Sequence, residues 1–344
     1  MRKILKIIYN LDLNKILIIG GAIVFIFVVS FFIWWLGGKG IEVNNDRDSE
    51  IINNLPKSPL SGINCENSDK RPIAVMIASD PITRPLSGIS QADIVFEIPV
   101  TPSGLTRIMA VYQCEEPDEI GSVRSAREDF IPLAASLGVI YAHWGGEREA
   151  LTRLNNHIID NIDAMKYENV YFYRKTGIPQ PHNGFTDFER LARAAEDLNY
   201  SNKNTFSGYI HSDKDLSKNI LNLADTISIN YPSPSDVVWT YNKDNNTYQR
   251  VRGGKPEIDK NNSNQVTANV VIVMKTTSTY LSKDYLSVTV TGQGDATIYQ
   301  KGIQINGRWE KDPSQLASKL FFYDTNGKEI ELTPGKIWVE IVIE

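Results

Sequence analysis

An uninterrupted apolar run near the start of the chain constrains its fold more than any other sequence feature. Residues 16–36 are 21 residues without a charge, long enough for a helix to cross the hydrocarbon core of a bilayer. Trp34 and Trp35 stand at the far end of the run, where interfacial indole rings are common. The run predicts one transmembrane helix, because a buried helix of a globular domain is rarely so long and so apolar.

The charges around this run predict its orientation. Basic residues dominate the segment before it, which carries Arg2, Lys3, Lys6 and Lys15 against Asp12. By the positive-inside rule, residues 1–15 stay in the cytoplasm and the chain after the run is exported. A cleaved signal peptide is the alternative, but the run exceeds a usual signal-peptide core and the following letters contain no A-x-A site. No cysteine follows closely enough to serve as a lipidation site.

The charge of the exported part excludes one class of partner. The chain has 36 basic and 41 acidic residues. Residues 1–40 hold five and one of these, so residues 41–344 hold 31 and 40, a net charge of −9. Such a surface does not attract nucleic acid by its overall field. Any anion that binds there must be held by a local cluster of cations.

The chain has two cysteines, Cys65 and Cys114, and both follow the apolar run. Export to an oxidising compartment favours a disulfide between them over two free thiols. Two cysteines are too few for a cysteine-rich zinc site. The H-E-x-x-H pattern of zinc peptidases is also missing from the sequence. We therefore predict a disulfide, no metal and no cofactor.

Composition and periodicity divide the exported part into a linker and two domains. Residues 37–70 are rich in Gly, Asn, Asp, Ser and Pro and are predicted to be a linker. Residues 71–200 alternate strand and helix patterns, with strands at 73–78, 92–100, 106–113, 138–144 and 170–174. After a polar connection at 201–225, residues 226–344 show short β-branched or aromatic runs separated by turn residues. The predicted fold class is α+β: one transmembrane helix, a mixed α/β domain and a mostly β domain.

The stretch GSVRSAREDF, residues 121–130, raises an electrostatic question. Ser125 and Glu128 have the spacing of a capping box, which predicts that a helix begins there. Arg124 and Arg127 would then lie at the positive end of the helix dipole, where cations are disfavoured. Either they pair with acidic residues of the same domain, or they bind an external carboxylate or phosphate. The acidic candidates for such pairs are Asp93, Glu97 and Asp129.

Two histidines are further candidates for a site. His143 ends a predicted strand before Gly145 and Gly146, and an extracytoplasmic hydrolase with His143 and Glu147 as an acid–base pair is the alternative function. His182 lies in the loop QPHNGF, where it either fills a turn or presents donors to a ligand. A helix is predicted over 185–198, with Thr186 as its N-cap and Glu189 completing a capping box.

The order of several motifs resembles that of the YerB-like family of bacterial envelope proteins. The N-terminal part of the resemblance is carried by RPIAVMIASDPITRPLSGISQADIVFEIPV, LTRIMAVYQ, EIGSVRSAREDF, YAHWGG and PHNGF. YQRVRGGKPEID, ANVVIV, VTVTGQGDATIYQKGIQINGRWEK and GKEIELTPGKIWVEIV are similar to its C-terminal part. Together these motifs cover nearly all of residues 71–344.

The resemblance implies an exported two-domain protein held at the cytoplasmic membrane, usually as a lipoprotein, with no established reaction. This chain departs from it in having an apolar run and no lipobox cysteine. We therefore expect a single-pass, membrane-anchored binding or scaffold protein whose partners are the membrane and cell-wall material or envelope proteins. An anionic or peptidoglycan-derived ligand would be held by polar residues of the family motifs. These are Arg84, Arg107, Arg124, Arg127, His143, His182 and Asn183.

Overall fold

The computed structural model describes residues 54–214 and 223–344, together with Phe27 and Ser30. The chain divides into two units, residues 1–53 and residues 54–344. The predicted membrane-spanning segment 16–36 lies outside the described residues except for those two positions. Among the helices that the structure describes, none combines the length and apolarity needed to cross a bilayer. Both predicted domains belong to the second unit.

Twenty strands and four α-helices make up the described part of this unit. The strands are β1 Ile73–Ala78, β2 Ile94–Pro99, β3 Thr106–Tyr112, β4 Ile120–Gly121, β5 Ile140–His143, β6 Asn161–Asp163, β7 Tyr173–Arg174, β8 Gly184–Thr186, β9 Thr226–Ile229, β10 Val237–Asn242, β11 Thr247–Arg252, β12 Lys255–Pro256, β13 Thr267–Ala268, β14 Val270–Thr276, β15 Ser278–Tyr280, β16 Leu286–Val288, β17 Gly292–Gln300, β18 Ile303–Lys311, β19 Phe321–Asp324 and β20 Ile337–Ile343. The helices are α1 Phe130–Ser136, α2 Arg148–Asn155, α3 Ala164–Tyr167 and α4 Phe188–Asp197. All four helices precede residue 200, which agrees with the predicted α+β class and its mostly β C-terminal part.

One ten-stranded sheet runs through both predicted domains, in the order β19-β18-β17-β14-β20-β2-β3-β1-β5-β6. The last strand of the chain, β20, lies between β14 and β2 and pairs with both in parallel. In the pairing with β2, Ile94 lies opposite Ile337 and Glu97 lies opposite Glu340. The two predicted domains therefore share a sheet rather than meeting only through side chains.

Both faces of this sheet are covered, which explains why central strands such as β1 are apolar along their whole length. On one face, Met76 packs in a core with Phe130 and Leu133 of α1. On the other face, Ile77 belongs to a core that includes Leu191 of α4 and Trp239 of β10. The strand β10 belongs to a second, smaller sheet formed by β9 to β13.

The predicted capping box at Ser125 is wrong. Helix α1 begins at Phe130, and its N-cap residue Asp129 makes no side-chain capping bond. Residues 124–127 are instead extended between β1 and the end of β5. The N–H of Arg124 donates to Met76, and the N–H of Ala126 donates to Gly145. These long-range backbone bonds prevail over the local capping pattern, since each satisfies a group that a helix start leaves free.

The predicted N-cap of α4 is also wrong by one residue. The Asp187 carboxylate accepts the N–H of Arg190, while the Thr186 hydroxyl donates to the carbonyl of Tyr171. Thr186 is fully buried in β8, and its hydroxyl bonds to the turn that precedes β7 instead of capping the helix. The strand predicted over 170–174 is reduced to β7. The predicted disulfide between Cys65 and Cys114 is confirmed, with 5.5 Å between the Cα atoms.

Candidate anion-binding site

Three of the predicted arginines come together beside the ends of β1 and β5. Arg107 lies in β3, opposite Ala78 of β1 and Ile98 of β2. Arg124 and Arg127 belong to the extended segment that follows β4. Because this segment is held against β1 and β5 by backbone hydrogen bonds, its arginines reach the same edge as Arg107. These three side chains define what we call the arginine hollow.

Asp80, two residues after β1, is the carboxylate between two of these arginines. Its Oδ2 atom is 3.6 Å from Nη1 of Arg107 and 4.0 Å from Nε of Arg124. Both distances exceed that of a good charged hydrogen bond. Within the described part of the chain, Oδ2 of Asp80 and both Nε and Nη1 of Arg107 are buried without a hydrogen-bond partner. Asp80 therefore compensates the charge without satisfying the donors.

Arg127 has a similar, incomplete set of partners. Its Nε atom is 3.8 Å from Oε2 of Glu147, and its Nη1 atom donates to the carbonyl of Ala126. The guanidinium carbon is 4.9 Å from the ring centre of Tyr285, a cation–π contact. The other oxygen of Glu147 accepts the N–H of Glu128 at 2.6 Å. The predicted partners Asp93, Glu97 and Asp129 are wrong, since the pairing carboxylates are Asp80 and Glu147.

An open hollow of about 430 Å³ lies over these arginines. The turn at residues 100–105 forms one wall, and the tip of the β15–β16 hairpin forms another with Lys283, Asp284 and Tyr285. Arg107 is only 2% exposed, and it lies at the hollow with Arg124 and Arg127. A ligand in the hollow would therefore meet buried, unsatisfied N–H donors.

The electrostatics of the site favour an incoming anion. Burial, reinforced by the charges of Arg124 and Arg127, lowers the pKa of Arg107 to about 9. Burial also lowers the pKa of Arg124, although Asp80 opposes the shift. A lowered pKa means that the charged form is destabilised by its surroundings. A bound carboxylate or phosphate would relieve this cost and supply bidentate acceptors.

Burial has the opposite effect on the acids behind the arginines. It raises the pKa of Glu147. It also raises the pKa of Asp129 to about 7, opposed by the hydrogen bond from Val288. Both carboxylates are therefore easier to protonate than exposed ones. Protonation of either acid would leave the arginines with less internal compensation and more capacity for an external anion.

The predicted histidines do not form the core of this site. His143 is fully buried; its Nδ1 atom is 2.8 Å from the carbonyl of Gly145 and its Nε2 atom is 3.2 Å from Asn161. His182 lies next to the arginine hollow, because Nη1 of Arg124 donates to the carbonyl of Pro181 at 3.4 Å. Burial, followed by the charge of Arg124, lowers the pKa of His182.

Two other predicted residues lie elsewhere. Asn183 accepts a hydrogen bond from Arg174 at 2.9 Å, and Arg174 pairs with Glu168. Arg84 donates to the carbonyls of Ser79 and Pro234 and lines a different hollow. Neither Asn183 nor Arg84 lines the arginine hollow.

The predicted acid–base pair of His143 and Glu147 is not formed as a contact. The carboxylate nearest to His143 is Asp163, whose Oδ1 atom is 3.8 Å from Nδ1. Glu147 pairs with Arg127 instead. Burial lowers the pKa of His143, so the imidazole is held neutral. In the ranges that the structure describes, no group of His, Cys, Asp and Glu side chains could hold a metal ion.

Sequence reasoning missed three residues of the site. Asp80 falls within the family-like stretch ASDPITRP, and its place directly after a strand was the available signal. Lys283 and Tyr285 carried no such signal. They lie more than 150 residues from the arginines along the chain, on a hairpin that only the tertiary structure brings to the hollow.

The fold is that of an α+β protein with two parts in sequence, both of which contribute strands to one sheet. Residues 60–201 match the family "Protein of unknown function (DUF3048) N-terminal domain", and residues 227–339 match its C-terminal domain. The chain belongs to this YerB-like family, as its motifs predicted.

YerB of Bacillus subtilis illustrates the match both in sequence and in structure. "Putative lipoprotein YerB" of strain 168 is 26% identical over 292 residues, which cover 83% of this chain and 86% of that protein. The crystal structure of the YerB protein superposes with a TM-score of 0.75 at 25% identity, covering 84% of this chain and 97% of that chain.

Proposed function

We propose that this chain is a membrane-anchored, extracytoplasmic binding protein of the bacterial cell envelope, and that the arginine hollow holds the anionic group of its ligand. One observation carries the proposal. Arg107 is 2% exposed, and its Nε and Nη1 donors find no acceptor among the described residues. An unsatisfied buried cation is costly, and a ligand carboxylate or phosphate would remove that cost.

The location follows from two independent features. The relative from Bacillus subtilis is named as a lipoprotein, which implies attachment to a membrane on its outer side. This chain has the uncharged run 16–36 preceded by basic residues, which supplies an anchor of another kind with the same orientation. The binding unit would then face the cell wall, whose peptide and sugar-acid carboxylates provide the anionic group.

The first experiment measures whether small anions bind. The full-length chain, purified in mild detergent, is heated with increasing acetate or inorganic phosphate against sodium chloride at equal ionic strength. Binding to the folded state raises the unfolding midpoint in proportion to ln(1 + [L]/Kd). We expect a midpoint that rises with acetate or phosphate, and a loss of that rise in Arg124→Gln and in Arg127→Gln.

The matched control is Arg148→Gln. Arg148 belongs to the neighbouring helix α2, its side chain is 89% exposed, and it pairs with Glu149. This variant removes the same charge without touching the hollow and should keep the full response. Equal responses in all four proteins, or an equal response to chloride, would show that the effect is general screening and that the arginine hollow binds nothing.

The second experiment addresses the natural partner. Purified cell-wall fragments are incubated with the full-length chain and sedimented, with Arg124→Ala as the comparison. Co-sedimentation of the wild type that acetate displaces, and that the variant loses, would support a cell-wall carboxylate as the ligand. Co-sedimentation that is unaffected by both changes would place the contact elsewhere on the surface.

A further inference from the structure

A second hollow, of about 530 Å³, lies between segments from the two predicted domains. Its apolar lining consists of four prolines and two aliphatic side chains, and we call it the proline hollow: Pro81, Pro85, Leu86, Pro234, Pro256 and Ile258. One wall comes from the loop after β1, and the opposite wall comes from the turn between β11 and β12 and the residues that follow. Proline rings are rigid, so a ligand would meet a largely preformed surface.

Glu257 provides an unused acceptor in this hollow. The residue is 6% exposed and lines the hollow. Its Oε2 atom accepts from Nη1 of Arg250 at 3.0 Å and from Nε of Arg252 at 3.3 Å. Its Oε1 atom is buried and has no donor within the described ranges. Buried carboxylate oxygens are seldom left in this state, since each lost hydrogen bond destabilises the fold.

Arg84 provides an unused donor from the other wall. Its two terminal nitrogens donate to the protein, Nη2 to the carbonyl of Ser79 at 2.8 Å and Nη1 to that of Pro234 at 3.4 Å. Its Nε atom is buried, and no acceptor for it lies in the described part of the chain. The guanidinium is thus held by its two terminal nitrogens, while its Nε donor has no acceptor among the described residues.

We propose that the proline hollow binds a secondary amide flanked by a small apolar group. The ligand N–H would donate to Oε1 of Glu257, its C=O would accept from Nε of Arg84, and the apolar group would lie against the proline rings. A trans amide suits this pairing because its N–H and C=O point in opposite directions, and the acceptor and donor stand on different walls.

The charges of the hollow favour a neutral ligand. Arg84, Arg252 and Lys255 repel an ammonium group, while the unsatisfied oxygen of Glu257 needs a donor, which a carboxylate or phosphate does not carry. An amide has a donor for Glu257 and an acceptor for Arg84, and it carries no net charge. The same chemistry occurs in peptides and in N-acetylated amino sugars. This inference does not depend on the arginine hollow, because the two sites share no lining residue.

The test uses three neutral probes and the full-length chain in mild detergent. N-acetyl-alanine N-methylamide represents a peptide, N-acetylglucosamine represents an amino sugar, and glucose lacks the amide. Saturation-transfer NMR titrations at up to about 10 mM reach the weak affinities expected of such small ligands. We expect at least one amide probe to bind, while glucose does not. The probe that binds more tightly identifies the source of the amide.

Three variants locate the binding. Ile258→Trp fills the hollow, and Arg84→Lys keeps the charge but removes the Nε donor. Each should weaken the amide probe by about fivefold or more, since one hydrogen bond or the cavity is lost. Lys260→Gln removes an exposed charge two residues beyond Ile258, outside the lining of the hollow, and should leave the affinity unchanged.

Thermal unfolding midpoints of all three variants are compared with the wild type, to confirm that they fold. The proposal is overturned if neither amide probe binds, or if Ile258→Trp and Arg84→Lys both bind as the wild type does. It is also overturned if Lys260→Gln weakens binding as much as Arg84→Lys, because binding would then respond to the overall charge of this region rather than to the amide.

Discussion

Arg250 in β11 donates through Nη2 to the carboxylate of Glu97 in β2 over 2.7 Å, and neither side chain is exposed. The two residues are 153 positions apart and belong to different predicted domains. Arg252 also pairs with Glu97, and Glu340 of β20 accepts from Arg250 at 3.1 Å. This buried network joins the smaller sheet to the ten-stranded sheet at the strand pair β2–β20.

Replacing Glu97 by Gln should destabilise the protein by about 3–5 kcal/mol, because it removes one of the two buried carboxylates, Glu97 and Glu257, that Arg250 and Arg252 share. The measurement is urea unfolding of the full-length chain at pH 7. Glu340→Gln is the control. Burial raises the pKa of Glu340 to about 7, so this carboxyl is partly neutral already, and its amide should cost much less. Equal losses in both variants would contradict the assigned role of Glu97.

Replacing Arg107 by Met should stabilise the ligand-free protein and abolish its response to anions. The methionine side chain is of similar length, and the replacement removes two buried donors that lack acceptors. Asp80 would still have Arg124 as its partner. We expect a gain of about 1–2 kcal/mol, measured by urea unfolding, and no rise of the midpoint with phosphate. A loss of stability would show instead that Arg107 holds the fold together.

Replacing Asp129 by Asn should stabilise the protein only at neutral and higher pH. Burial raises the pKa of Asp129 to about 7 from 3.8, so the native state binds the proton more tightly than the unfolded chain does. The contribution of Asp129 to the free energy of unfolding is fully present below pH 4 and is lost as the pH rises towards 7. Asparagine cannot ionise, and its side-chain oxygen can still accept from Val288, as Asp129 does.

The difference in unfolding free energy between Asp129→Asn and the wild type should therefore grow from near zero at pH 4 to about 4 kcal/mol above pH 7. Taking the difference cancels the other titrating groups, provided that they respond alike in both proteins. A difference that stays constant with pH would mean that Asp129 ionises as an exposed acid does.

Removing the disulfide by the double replacement Cys65→Ser and Cys114→Ser should cost about 4 kcal/mol, since the bond closes a loop with a sequence separation of 49. The measurement is urea unfolding of the variant beside the wild type with and without a reductant. The reduced wild type and the double variant should unfold at the same urea concentration. A variant as stable as the oxidised wild type would show that the bond contributes nothing.

The arginine cluster was partly predictable from sequence. Arg124 and Arg127 were predicted to need partners because cations are disfavoured at the start of a helix. The structure brings both together with Arg107. The start of the helix and the acids that pair with these arginines were not predictable. The helix begins four residues later than the pattern suggests, and the counter-charges, Asp80 and Glu147, were not the acids predicted. Local propensity contributes only about 1 kcal/mol at a helix cap, and long-range backbone bonds outweighed it.

The sequence by itself determined the long central strands, because burial on both faces demands apolar runs such as residues 73–78, and it determined which cysteines could bond. Only the tertiary structure decided that β20 inserts beside β2, that Glu97 meets Arg250, and that Tyr285 reaches Arg127. The residues of a strand show which of its faces are buried. They do not specify which strand lies beside it or which residue pairs with its charged side chains. Those depend on contacts between segments more than 100 residues apart, whose free energy is set by the packing of the whole unit.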